Sequence, residues 1–287
     1  MTSALISPAE LHQLLETQTG KVALLDASYA IGAAGHAPDS VFANMRIDHA
    51  QFFDIDAIAD PENPLPHMLP SDDDFAAAVG ALGISNDHLV IAYDQSGIAM
   101  AAARAWWMFR VFGHDRVRVL DGGLPAWTAA GFDLTHGAPD TPEPQVFTAT
   151  LRPELVTTYA QMKNVVTDKS AAILDARPPE RFAGLSPEPR PGLQAGHMPG
   201  ALSVPAGSLI DAHTRGMIAP SRVKSRLADL NLQPSAPIVT TCGSGVTACV
   251  VALALFDQNY ENVSVYDGSW SEWGREELNS PIVKGIE

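Results

Sequence analysis

Cysteine is scarce in this chain of 287 residues, which holds only Cys242 and Cys249. The two lie seven positions apart in one apolar stretch, about two helical turns or roughly 10 Å along an axis, beyond the reach of a disulfide. A disulfide framework is therefore excluded, and a reducing cytoplasm is the expected location. Basic residues are also few: 18 Lys and Arg stand against 33 Asp and Glu, a formal net charge of −15. That balance argues against nucleic acid as a partner, because phosphate contacts need clustered cations. No apolar run approaches the ~18 residues of a membrane span, and the opening "MTSALISPAELHQLL" lacks the basic and apolar regions of an export signal. Low-complexity tracts are missing too. What remains, 46% of it hydrophobic, suits a soluble chain of about two domains with ample core.

The place of one cysteine is informative. In "PIVTTCGSGVTACVVALALF" (237–256), Ile238 to Thr241 reads as a short buried strand and Val246 to Phe256 as about three helical turns. Cys242 then sits at a strand-to-helix turn flanked by Gly243 and Gly245. Glycines let such a turn close tightly, its successive N–H groups can form an anion nest, and the following helix adds its positive end. All three favour negative charge on the sulfur, and the thiolate is the nucleophilic form. A buried structural cysteine needs none of this, and Cys249, inside the helical run, reads as packing.

The chain also repeats itself. "VALLDAS" (22–28) returns as "AAILDAR" (171–177), "VIAYDQSGI" (90–98) as "IVTTCGSGV" (238–246), and "VRVLDGGLPAW" (117–127) as "VSVYDGSWSEW" (263–273), at offsets of 149, 148 and 146 residues. A nearly constant offset across three blocks means two copies of one domain. The expected division is 1–137, a Pro-rich linker at 138–154, and 155–287. Helix starts are signalled by Ser7-Pro8 with Glu10 and by Thr158 with Gln161, both capping-box patterns. Apolar runs alternating with helical segments such as "AMAAARAWWMFRVF" (99–112) imply an α/β fold, each copy a parallel sheet with helices on both faces. In such folds sites lie beyond the carboxyl ends of strands. Asp94 of the first copy aligns with Cys242 of the second, so one copy alone carries a nucleophile and the other is expected to serve as scaffold or site wall.

"CGSGVTA" after a buried strand, "GHMPGALSVP" (196–205) and "VSVYDGSWSEW" together resemble the tandem-domain rhodanese family. "CGSGVT" is similar to its 3-mercaptopyruvate sulfurtransferase branch. The likeness runs through "FFDID" (52–56), "PHMLP" (66–70), "AWWMFRVFGH" (105–114) and "EPRPG" (188–192). It implies two rhodanese-like domains, the second catalytic, and a persulfide on Cys242, with no cofactor or metal. Gly243, Gly245, Val246 and Thr247 would then surround the substrate. The branch maps recognition of an α-keto acid onto Arg181 and Arg190, which suits the planar fork of arginine. It maps a proton relay onto Ser244, His67 and Asp56, the last two from the first copy. An acceptor thiol is implied, with reduced thioredoxin a family precedent.

Two competing readings are weighed by residues. Cysteine phosphatases with a similar loop place an arginine six positions after the cysteine, and here that position is Ala248; phosphate transfer lacks its charge partner. The thiosulfate-using branch carries basic residues after the cysteine, whereas Gly243 and Ser244 are neutral, which favours mercaptopyruvate as donor. A binding or sulfur-carrier module without turnover is the reading from another class. One departure stands out: "RIDHAQFFD" (46–54) carries Asp48 and His49 where the family has Pro-Gly, and the weaker alternative match is "GHAPDSV" (35–41).

Overall fold

The structure, a computed structural model, describes residues 3–18, 20–29 and 38–285. In the first half β1 (Leu5–Ile6), α1 (Pro8–Thr17), β2 (Val22–Asp26), α2 (Pro38–Asn44), β3 (Gln51–Phe52), α3 (Asp72–Ala81), β4 (Leu89–Tyr93), α4 (Met100–Val111), β5 (Val117–Leu120) and α5 (Gly123–Ala129) follow in order. In the second come β6 (Val156–Thr157), α6 (Tyr159–Asp168), β7 (Ala172–Asp175), α7 (Pro179–Phe182), β8 (Ala201–Ser203), α8 (Pro220–Ala228), β9 (Ile238–Thr241), α9 (Ala248–Asp257), β10 (Val263–Tyr266) and α10 (Ser269–Trp273). Each half builds one five-stranded sheet, ordered β1-β5-β4-β2-β3 and β6-β10-β9-β7-β8. All pairings are parallel. The repeat in the sequence is thus a repeat in topology.

Crossovers run in both directions along each sheet, and right-handed crossovers place helices on opposite faces accordingly. In the first half Leu11 of α1, Phe42 of α2 and Trp127 of α5 pack with Ile91 and Tyr93 of β4. The alternate residues Val90 and Ala92 are equally buried and turn to the other side, where Phe75 of α3 stacks on Phe112 with ring centroids 4.2 Å apart. This is why β4 reads as a continuous apolar run and not as an alternation. Residues 145–152 run along that face: Phe147 packs on Phe75 and Phe109, and Thr150 and Arg152 donate backbone N–H groups to Phe112 and Val111.

The helix starts differ in one detail from the expected pattern. Thr158 and Gln161 form a complete capping box on α6. Ser7 caps α1 through the Glu10 N–H, but the Glu10 carboxylate instead binds Arg118 at 2.6 Å, a stronger partner than a backbone N–H.

The departure at Asp48 and His49 leaves the turn unchanged. His49 adopts φ +60° and Gly200, its counterpart in the second half, φ +78°; Ala50 and Ala201 each close the turn on the carbonyl three residues back. His49 holds a left-handed position that glycine occupies at lower cost. The alternative match at 35–41 lies partly outside the described residues.

The chain divides into two compact units: Met1–Pro61 with Leu69–Arg152 and Asp211–Met217, and Glu62–Met68 with Pro153–Ile210 and Ile218–Glu287. Segment 211–217 joins the first unit through bonds such as Arg215 Nη2 to the Ser96 carbonyl at 3.0 Å and Met217 N–H to Asp121 Oδ1 at 2.7 Å.

Candidate active site

Cys242 follows the last residue of β9, and residues 242–247 form the loop that leads into α9. The helix begins two residues later than the apolar pattern suggests, because Val246 and Thr247 belong to the loop. Gly245 has φ +76°, the conformation for which a glycine is favoured. Among the described residues, the N–H groups of Gly243, Ser244, Val246 and Thr247 donate to nothing in the chain. The Ser244 and Thr247 hydroxyls are likewise unspent. Successive N–H groups without acceptors beside a cysteine that is 2% exposed are the kind of donors that can form an anion nest.

The cysteine's own backbone is fixed from the side. Ser269 sits at φ +48°, and its hydroxyl donates to the Tyr266 carbonyl at 2.8 Å while accepting the Cys242 N–H at 3.1 Å. Trp270 N–H binds the Cys242 carbonyl at 3.0 Å and Ser271 N–H the Gly243 carbonyl at 2.8 Å. The turn from β10 into α10 therefore clamps the start of the loop. Sequence reasoning saw the block "DGSWSEW" but not this role for Ser269. Cys249 lies in α9, fully buried, with its thiol on the Gly245 carbonyl at 3.2 Å. Both cysteines are free thiols.

Gly243 departs from expectation in its reason. Its φ is not left-handed, so conformational freedom is not what calls for glycine here. A Cβ at this position would stand 3.1 Å from Nη2 of Arg181; the missing side chain makes room for the guanidinium. Arg181, on α7, is thus brought to the Cys242 loop. Arg190 lies further along the same connection, partly exposed, with no partner among the described residues.

Two charged residues that the sequence did not single out organise this side. Arg177 is wholly buried and binds Asp175 at the end of β7 (Nη2 to Oδ2 at 2.6 Å), the Gly196 carbonyl at 2.8 Å and Glu188 at 2.9 Å. Its guanidinium also lies 4.0 Å from the Trp270 ring centroid. Glu188, also buried, gives its other oxygen to Arg181. The formal charges of Asp175, Arg177, Glu188 and Arg181 cancel, whereas Arg190 has no ion pair among the described residues.

Among the described residues the Ser244 hydroxyl makes no hydrogen bond. His67 is buried at φ +60° in the segment 62–68 that groups with the second unit. Asp56 is exposed in the first unit, where its N–H donates to Asp54 Oδ1 at 2.9 Å. His197 of "GHMPGAL" has a packing role, stacked on Phe182 at 3.8 Å with Nδ1 at the Phe182 carbonyl. Among the described residues no cluster could hold a metal ion, and no helix is long and apolar enough to cross a membrane.

Comparison with known proteins agrees with this geometry. The rhodanese-like domain matches twice, at residues 7–130 and 158–276. The chain is 39% identical over 282 residues to thiosulfate/3-mercaptopyruvate sulfurtransferase 2 of Arabidopsis thaliana, covering 91% of this chain and 82% of that one. It is 42% identical over 233 residues to a 3-mercaptopyruvate sulfurtransferase of Escherichia coli, covering 81% and 82%. The crystal structure of SseA from Escherichia coli, a 3-mercaptopyruvate sulfotransferase of rhodanese fold, superposes with a TM-score of 0.83 at 35% identity, over 94% of this chain and all of that one. Two sheets of one topology, each matched along nearly its whole length, mean that this chain belongs to the rhodanese family as a tandem of two rhodanese-like domains.

Proposed function

We propose that the protein is a sulfurtransferase that moves sulfur from 3-mercaptopyruvate through a persulfide on Cys242 to a thiol or cyanide acceptor, releasing pyruvate. The observation that supports this reading is the loop 242–247, where a buried Cys242 is followed by N–H groups that have no acceptor among the described residues. The relatives named for this activity support it.

A covalent intermediate splits the transfer in two. Thiolate Cys242 attacks the donor sulfur, an S–S bond forms, and the C–S bond breaks with its electron pair on the methylene carbon. The resulting enolate of pyruvate takes up the proton of the donor thiol, so the enzyme is left with a persulfide anion. N–H groups of Gly243, Ser244, Val246 and Thr247 stabilise that terminal sulfur, as preorganised donors do for developing charge. Arg181 and Arg190 bind the carboxylate and keto oxygen. Ser244 carries the proton between sulfur and carbon, with His67 and Asp56 as its assigned relay. The outer sulfur then passes to the acceptor, which restores the Cys242 thiolate; a reduced thioredoxin would serve, and a cytoplasmic setting supplies it. Phosphate transfer has no support, since Ala248 occupies the place of the required arginine.

Thiosulfate is the second donor to weigh, because one close relative carries it in its name. The neutral Gly243-Ser244 pair argues for mercaptopyruvate. Steady-state kcat/KM with each donor, cyanide as acceptor, tests this: mercaptopyruvate should be preferred, and Gly243→Arg with Ser244→Lys should shift the ratio toward thiosulfate. An added cation at ~4 Å contributes up to about 4 kcal/mol at an effective dielectric of 20. A side chain at 243 would also displace Arg181, so mercaptopyruvate should lose ground for a steric reason as well. A wild type faster with thiosulfate would overturn the donor assignment.

A further inference from the structure

Glu188 is a carboxylate with 1% side-chain exposure, and such a group is retained in a fold only when charged partners satisfy it. One partner would be enough to close an ion pair. Arg177, wholly buried and already bound to Asp175, supplies it through Nη1 at 2.9 Å. Yet the second oxygen of Glu188 is committed to Arg181, which is 22% exposed, through Nη2 and through Nε at 3.2 Å. Those two nitrogens form one edge of the guanidinium fork. With that edge occupied, the plane of Arg181 is set: Nη2, Nη1 and Cζ stand 3.1, 3.6 and 3.8 Å from where a Cβ of Gly243 would be. A continuous chain of charge-assisted bonds thus runs from the end of β7 through Asp175, Arg177 and Glu188 to Arg181, ending at the residue beside Cys242.

We propose that Glu188 is a positioning residue of the donor site, holding the Arg181 guanidinium against Gly243 so that its remaining N–H groups meet the donor carboxylate. This rests on the reading that Arg181 binds the donor. An arginine held by a rigid carboxylate has lost its rotamer freedom before the donor arrives, and preorganisation of that kind raises affinity without a new contact. Glu188 acts through Arg181 and touches no reacting atom.

A double-mutant cycle distinguishes positioning from support of the fold. In an otherwise unaltered enzyme, Glu188→Gln should raise KM for mercaptopyruvate about 10-fold while kcat changes less than about 2-fold, the mark of a binding loss. With Arg181→Ala already present, the same Glu188 change should alter kcat/KM by less than about 2-fold. Thermal melts accompany each variant, and Glu188→Asp, which keeps the charge but withdraws it by one methylene, replaces Glu188→Gln if the latter does not fold. A loss of equal size in both backgrounds would overturn the proposal, because Glu188 would then act through Arg177 and the fold. No loss in the wild-type background would overturn it too. If Arg181→Ala alone leaves KM and kcat unchanged, the donor-binding reading fails first and the proposal with it.

Discussion

The two strand-to-helix loops are one design with different occupants. In the first domain Asp94 follows the last residue of β4, and its Oδ1 accepts the Gly97 N–H at 2.8 Å and the Ser96 hydroxyl at 2.6 Å. In the second, Cys242 stands in that place, and the corresponding Ser244 hydroxyl is unspent. Even the flanking clamp is shared: Leu124 N–H binds the Asp94 carbonyl as Trp270 N–H binds that of Cys242. The first loop is closed on a carboxyl group that the chain itself supplies. In the second the proposed occupant is the anionic sulfur of the donor. A frame that stabilises negative charge can therefore be structural or functional, depending on a single side chain at the strand end.

The neighbouring strand differs in the same sense. Asp26, at the end of β2, is satisfied by the neutral groups of Ser28 and Gln95, and burial pushes its carboxyl up. Its counterpart Asp175 is held by Arg177, the start of the charged chain that reaches Arg181. Among the described residues that chain is found in the half with the thiol, which is the physical reason to associate it with a charged ligand.

The largest expected effect comes from erasing the difference. Cys242→Asp should reduce pyruvate release to background, a loss above about 10³-fold for removal of a nucleophile, while the protein stays folded. Its structure should show the new carboxylate on the Gly245 N–H and the Ser244 hydroxyl, as in the first loop. A variant that unfolds would mean that the two loops are not equivalent frames.

Next in size is the contrast between the two kinds of arginine. Arg190 has no partner among the described residues, so Arg190→Ala should lower kcat/KM for mercaptopyruvate by about 10- to 150-fold, from the roughly 1.5–3 kcal/mol of a charge-assisted hydrogen bond, with an unchanged melting temperature. Arg177→Ala should instead cost about 3–5 kcal/mol of stability by stranding Asp175 as a buried charge and leaving Glu188 with Arg181 alone. Chemical denaturation alongside kinetics reads both. Loss of stability with Arg190→Ala would place that residue in the fold and not in the site.

The smallest effect concerns pH. Burial raises the Asp94 carboxyl above its ordinary value, with the Ser96 and Gly97 hydrogen bonds opposing. An acid with a raised folded-state pKa binds more protons folded than unfolded, so its contribution to stability falls as pH rises from the unfolded value of about 3.9 through the folded one. Asp94→Asn removes this dependence. Its melting temperature relative to wild type should rise with pH across that window and level off above it. A difference independent of pH would show that Asp94 is not strained by its charge.

Much of this was legible in the residues. Three blocks at nearly constant offset gave two sheets of identical order, and the apolar run 238–241 marks β9 to the residue. Cys242, Gly245 and the helix behind them read as a strand-to-helix turn because the signal is local. What was not legible depends on groups far apart in the chain. Ser269 matters through its bond to Cys242, Glu188 by bridging Arg177 and Arg181, and Gly243 because of what packs on it. His49 hid a geometry shared with Gly200 of the second half behind an unexpected residue type, since a left-handed turn can be held by a histidine at a modest cost. The assignment of 62–68 and 211–217 to the opposite units follows from tertiary contacts that no periodicity encodes.

Intact-protein mass spectrometry after mixing with 3-mercaptopyruvate, without acceptor, addresses the Cys242 persulfide most directly. One added sulfur atom per chain is expected, mapped by proteolysis to Cys242, removed by cyanide, and lost in Cys242→Ser but retained in Cys249→Ser. An unmodified mass, or sulfur carried on Cys249, would contradict the proposed mechanism.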